Sequence, residues 1–244
     1  MRNEAFSLCG TRCEICLRGE PRYLLVQPAG SQDGGAAETA AMIAAETAEP
    51  FAYVVFRVEN WNRALSPWPA PPVFGTEAFG DGAAETLAFL ETELLPFVRS
   101  RCAIAADVPV ILGGYSLAGL FALWCAMRSG AFAAVAAVSP SVWFRGWIDY
   151  AAAHRVRTRF VYLSLGDREK KTRNREMAAV GQRIREQDAI LERDGVRHVL
   201  EWNPGGHFRD PERRCAGGFA RCIRSIGPDE EQKEQTAGST PADT

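Results

Sequence analysis

What the chain lacks narrows it first. No apolar run approaches the roughly 20 residues that a membrane span requires, and the opening MRNEAFSLCGTRCEI has no apolar stretch of the kind a secretory signal needs. Charge of one sign is not in excess: 28 basic against 30 acidic residues leave a formal net charge of −2. Neither a nucleic acid nor an anionic membrane surface is therefore an expected partner. Histidine is scarce, with three in 244 residues, so histidine chemistry has few candidates. Internal repeats are absent.

Seven cysteines are present, an odd count at irregular spacing. That argues against a disulfide framework and, with no export signal, for a reducing cytoplasm. At 47% hydrophobic residues the chain can bury a large core. Residues 1–226 read as one domain. Residues 227–244 are rich in Glu, Gln, Ser, Thr and Pro, too polar to offset their ordering entropy, and read as a disordered tail.

Within the domain, β-rich apolar runs alternate with helical patterns, the signature of a mostly parallel sheet with helices on both faces. Strands are expected at Arg22–Gln27, Phe51–Val58, Val108–Gly113, Phe132–Val138, Arg159–Leu165 and Val196–Trp202. Helices are expected around Ala36–Thr47, from about Ala83 with Leu87, Leu90, Leu94 and Phe97 on one stripe, and over the wholly apolar Leu117–Met127. Another carries Met177, Val180, Ile184 and Leu191 as its apolar stripe, and a short last helix begins near Pro211. Residues 1–17 suggest an antiparallel edge hairpin between Phe6 and Leu17.

Ligands of such sheets bind beyond the carboxyl ends of the strands, and three reactive residues fall there. Ser116, in Gly113-Gly114-Tyr115-Ser116-Leu117-Ala118-Gly119, sits between an apolar strand and an apolar helix, where a tight turn lifts the hydroxyl above the sheet. The bland reading is a serine that caps a helix. His207 follows the last strand in the glycine loop of NPGGHF, suited to a base that serves both nucleophile and leaving group. His154 and His198 fall in a polar helical segment and inside the last strand. After RFVYLSL comes Gly166-Asp167-Arg168-Glu169, and either Glu169, which turn geometry favours, or Asp167 would orient the imidazole. The order serine, acid, histidine is that of α/β-hydrolases. An oxyanion would be met by the Leu117 N–H at the helix start and by a donor from the loop Gln27–Ser31. There Pro28 has no N–H, so the donor is Ala29 or Gly30, with Ala29 preferred. Trp61, Trp68, Trp143, Phe144 and Trp147 lie near strand ends as candidate pocket walls, though aromatic residues there more often serve packing. Arg63 is a candidate contact for a polar or carboxylate group of the substrate.

With these motifs in place, the chain resembles the serine esterase family of the α/β-hydrolase superfamily, the branch that includes enterochelin-esterase-like and esterase-D-like proteins. The resemblance rests on GGYSLAGLFALW, AAVSPSVWF, SLGDRE and NPGGHF, supported by ENWNRALSPWPAP (Glu59 to Pro71), and spans Tyr23 to Phe208. It implies hydrolysis of carboxylic esters through an acyl-enzyme, with no metal and no cofactor. It also implies an α/β-hydrolase fold without a large lid and a small-molecule ester as partner. The chain departs from the branch in lacking a His-Gly pair in its first oxyanion loop. Two rival readings stand beside it. One is the same fold kept as a binding module. The other is a metal or iron–sulfur site on Cys9, Cys13 and Cys16, whose Cys-x3-Cys-x2-Cys spacing could supply three thiolates, although Cys13, Ile15 and Leu17 also alternate as an edge strand would.

Overall fold

A computed structural model of the chain describes residues 1–30, 33–73 and 75–227; the tail read from the sequence as disordered lies almost wholly outside them. Two antiparallel strands come first, β1 (Arg2–Leu8) and β2 (Thr11–Arg18). Their two-residue turn is Cys9-Gly10, both at positive φ (50° and 81°), the backbone twist that suits a tight hairpin. The remaining strands are β3 (Tyr23–Gly30), β4 (Phe51–Val58), β5 (Val110–Tyr115), β6 (Ala134–Val138), β7 (Phe160–Gly166) and β8 (His198–Asn203). They form one eight-stranded sheet in the order β1-β2-β4-β3-β5-β6-β7-β8, parallel from β4 to β8.

Helices cover both faces, and two apolar clusters lie on opposite sides of the sheet. One side carries α1 (Ala36–Glu46) and α9 (Pro211–Ser225). The other carries α3 (Ala83–Phe89), α4 (Leu95–Arg101), α5 (Leu117–Arg128), α6 (Trp147–Ala153) and α8 (Val180–Arg193). Short helices α2 (Trp61–Ala64) and α7 (Arg175–Ala178) fill the connections. Every residue of α5 but Arg128 is buried, which is why its sequence is apolar all round. Among the described residues no helix is long and apolar enough to cross a membrane.

The structure departs from the sequence reading in instructive places. The helix expected from Ala83 runs on, but with a π-turn at Leu90–Leu94 joining α3 to α4. Pro96 has no N–H and its ring crowds the carbonyl four residues back, and a widened turn relieves both. The stripe from Met177 to Leu191 is broken at Ala179 into α7 and α8. The last helix is not short but fifteen residues long. Its Gly218 permits close approach to the sheet, since a Cβ there would lie 3.0–3.1 Å from Tyr162 and Val138. Finally β3 continues to Gly30 instead of ending at Gln27, so Ala29 is a strand residue in register with Arg57 of β4.

The chain that leaves β3 is tied down by that same arginine. Arg57 donates to the carbonyls of Gly30, Asp33 and Gly34, each at 3.0 Å, and pairs with Glu14 of β2 at 2.7 Å. Glu14 in turn accepts the N–H of Ala36 in the first turn of α1.

Candidate active site

Between the last residue of β5 and the first of α5 stands Ser116, at φ 59° and ψ −119°, a conformation that a residue with a side chain rarely adopts. Such strain costs on the order of 1–3 kcal/mol and persists only where the surroundings impose it. Here they do. The Ser116 N–H donates to the Val138 carbonyl (3.0 Å), and the Ser116 carbonyl accepts from Leu120 N–H (3.1 Å) and Ser141 N–H (3.0 Å). Small neighbours are obligatory: a Cβ on Gly114 would lie 2.5–2.6 Å from Ala118. The result is a serine hydroxyl raised above the strand ends, beside the first N–H groups of α5, which have no partner within the helix.

The β7 and β8 ends bring two further groups to it. His207 Nε2 is 3.0 Å from Ser116 Oγ, and His207 Nδ1 is 2.8 Å from Glu169 Oε2. A carboxylate only accepts, so Nδ1 carries the proton and the Nε2 lone pair faces the serine. Asp167, the competing acid, does something else. It accepts the Gly205 N–H at 2.7 Å and is itself exposed, closing the loop that carries His207.

Glu169 is held from all sides. Its Oε1 accepts from the Gly166 N–H (2.7 Å), the Ser139 hydroxyl (2.7 Å) and Arg214 Nη1 (3.1 Å). A side chain at Gly166 would collide with the Gly205 carbonyl at 2.4 Å and with Glu169 itself at 2.8 Å, which accounts for glycine in that turn. Burial pushes the Glu169 carboxyl up, but the hydrogen bond and charge of His207, with the bonds from Ser139 and Gly166, outweigh it and hold the group below the ordinary carboxylate range.

A cavity of about 300 Å³ opens at Ser116 and His207, walled by Pro28, Ala29, Trp61 and Phe208 among others. A second, of about 250 Å³, lies against His207 and Glu169 and is walled by Trp143, Arg168, Lys171 and Phe208. Trp61 and Trp143 therefore stand beside the reactive groups. Four other sequence candidates, Arg63, Trp68, Phe144 and Trp147, line neither cavity. Arg63 pairs with Glu85 at 3.1 Å, its stem packed against Gly80. Trp68 stacks among Phe144, Trp147 and Tyr150 and donates its indole N–H to the Arg145 carbonyl. Trp147 is fully buried, bonded to Gln187. Gly30 N–H is committed to the Asp33 carboxylate at 2.6 Å, which takes it out of consideration as an oxyanion donor.

The three N-terminal thiols do not converge. Cys13 and Cys16 are three residues apart on β2, so they point to opposite faces and enter different apolar clusters, while Cys9 sits exposed in the turn. Burial pushes the Cys13 thiol up to about 12 and the Cys16 thiol up to about 11, against the thiolate that a metal requires. Among the described residues no three His, Cys, Asp or Glu side chains are placed to share a metal ion.

Sequence reasoning missed four groups around the site. Ser139, at φ 44°, bonds Glu169, and Ser141 Oγ lies 3.3 Å from Ser116 Oγ. Tyr115 donates its hydroxyl to the His207 carbonyl, and Arg214 lies buried against Glu169. Arg214 did leave a signal. At helical spacing it shares a face with Gly218 and Cys222, so a guanidinium stands on the apolar side of an amphipathic helix.

Residues 27–211 match the model of a family described as Putative esterase. No curated protein matches the chain. Among solved structures, an IroE-like serine hydrolase from Shewanella oneidensis superposes with a TM-score of 0.73 at 14% identity, over 97% of this chain and 85% of that one. The siderophore hydrolase EstA from Aspergillus nidulans gives 0.68 at 17% identity, over 92% and 95%. The enterobactin esterase FES from Shigella flexneri gives 0.66 at 18%, over 93% of this chain and 60% of that one. At such identities the likeness is one of fold, and the fold is that of α/β serine hydrolases.

Proposed function

The chain belongs to the Putative esterase family and is a carboxylic ester hydrolase; from that premise we propose that it acts through an acyl-enzyme on Ser116. The observation that supports this reading is the linear array Glu169–His207–Ser116, at 2.8 and 3.0 Å, with the serine held on a strained strand-to-helix turn. Ser116 Oγ attacks the ester carbonyl carbon while His207 Nε2 takes the hydroxyl proton, and Glu169 stabilises the imidazolium that forms. The oxyanion is met by the Leu117 N–H and by a second donor at the end of β3, Ala29, which lines the same cavity. Collapse breaks the bond to the alcohol, which leaves with the proton from His207. Water then adds to the acyl-enzyme with His207 again as base, and the carboxylic acid departs as Ser116 regains its proton.

The substrates we propose are small or soluble esters, because the cavity at Ser116 is about 300 Å³ and among the described residues no large lid covers it. Trp61 and Trp143 flank the reacting bond. Seven free thiols suit a reducing compartment, the cytoplasm.

Release of p-nitrophenol from acetyl and butyryl esters tests this, with wild type and Ser116→Ala measured side by side. Hydrolysis that falls to the uncatalysed background in the variant supports the reading. Equal rates in the two proteins would remove the nucleophile from Ser116, and no rate in either would leave the fold as a binding module.

A further inference from the structure

The Arg214 side chain is only 4% exposed, and nothing in the acyl-transfer scheme calls for it. A buried guanidinium is costly unless its donors are met and its charge is paired. The partners it has found all belong to the machinery around His207. Nη1 reaches Glu169 Oε1 (3.1 Å), Ser139 Oγ (3.3 Å) and the Tyr115 hydroxyl (3.2 Å). Nη2 donates to the carbonyls of Pro204 (3.0 Å) and Gly206 (3.2 Å), the loop on which His207 is mounted. The Tyr115 hydroxyl in turn donates to the His207 carbonyl itself. One planar group thus joins the acid, the residue next to the nucleophile and the loop of the base, arriving on a helix that contributes no reacting atom.

We propose that Arg214 is a positioning residue of this hydrolase: it clamps the Pro204–His207 loop and Glu169 in one rigid array, so that the imidazole stays in line with Ser116. The proposal rests on the serine-hydrolase reading above. A lysine could keep the charge but not the fork, because its three donors sit on one atom and cannot span the carboxylate and two carbonyls of a loop at once. The charge has a separate consequence. Arg214 partly neutralises Glu169 as seen from His207, so its removal leaves a more attractive carboxylate beside the imidazole and favours the imidazolium, which cannot act as base. Among the described residues, the other charged or titratable groups lining the cavities at His207 are Tyr53 on β4, Tyr115 on β5, Arg168 and Lys171 in the loop after β7, Asp33 after β3, and Glu212 and Cys215 on α9. Of these only Tyr115 hydrogen-bonds to Arg214, and a substitution at Arg214 leaves the others in place.

The test is kcat and KM for p-nitrophenyl acetate as a function of pH in wild type, Arg214→Lys and Arg214→Gln, with melting temperatures, and with Ser116→Ala as the reference. A loosened imidazole predicts kcat lower by roughly 100-fold in Arg214→Gln, the scale of a misplaced catalytic group, with KM little changed and the acid limb of kcat/KM moved to higher pH. Arg214→Lys is expected to lose part of kcat while its acid limb stays where wild type has it. Folded variants with wild-type kcat and an unmoved limb would make Arg214 a core stitch and overturn the proposal. Should Arg214→Gln fail to fold, Arg214→Lys decides alone: reduced kcat at unchanged KM supports the clamp, and unchanged kcat overturns it. Activity persisting in Ser116→Ala would instead overturn the underlying serine mechanism.

Discussion

The two sides of the His207 ring are built on different terms. On the inner side, Glu169 and Arg214 are 3% and 4% exposed in their side chains, and each polar atom of the acid has a partner. On the outer side, Phe208 is 92% exposed, its ring edge-on to the imidazole at 5.2 Å, and Arg168 and Lys171 lie at the surface. The inner side is over-determined by packing, so its residues can be read from physical constraint. The outer side is open to solvent and borders the two cavities.

That contrast predicts a gradient of mutational effects. The largest belongs to the inner side: Glu169→Gln is expected to lower kcat by about 10⁴-fold, because a neutral amide can donate to Nδ1 and so permits the wrong tautomer. Steady-state kinetics checks it. The same variant carries a pH signature in stability. The folded carboxyl lies below its ordinary value near 4.5, so ionised Glu169 stabilises the fold above that pH, and this contribution is lost as the pH falls through its lowered folded value. Denaturant unfolding of wild type and Glu169→Gln should therefore show a stability gap that is widest near neutrality and narrows in acid. A constant gap would mean the carboxylate charge is not what the site uses.

Crossing to the outer side, Phe208→Ala is expected to raise KM for an aryl ester about threefold to tenfold with kcat little changed, since an exposed edge-on ring can supply stacking worth about 0.5–1.5 kcal/mol. A fall in kcat at constant KM would place Phe208 with the inner group. Smallest of all, Arg63→Ala should leave kcat/KM unaltered and stability within about 0.5 kcal/mol, as its ion pair with Glu85 is exposed at both ends. A clear rise in KM would return it to the substrate site.

Legibility followed the same division. Ser116, His207 and the acid loop stand out because each lies where an apolar strand gives way to small residues and a helix, and the strand expected at Phe51–Val58 is β4 as observed. The choice between Glu169 and Asp167 was harder, because both carboxylates lie within three residues of the Gly166 turn and only side-chain direction separates their partners. The places of Arg63 and Trp68, outside the two cavities, were hard to foresee for a related reason. A loop rich in proline and aromatic residues announces a special shape, but not which face its side chains present, and here Trp68 turns inward to pack on α6. Arg214 and Ser139 escaped notice because their partners are 45 and 30 residues away along the chain. Pairings of that range belong to the fold and leave at most a misplaced charge on an apolar stripe as a trace.

The most direct test of the central claim is covalent. Wild-type protein treated with a serine-directed fluorophosphonate, and analysed by intact mass and peptide mapping, should gain one adduct, on Ser116. Ser116→Ala should gain none, and His207→Ala should label far more slowly because the hydroxyl has lost its base. Labelling elsewhere, or equal labelling of all three proteins, would contradict the account at its root.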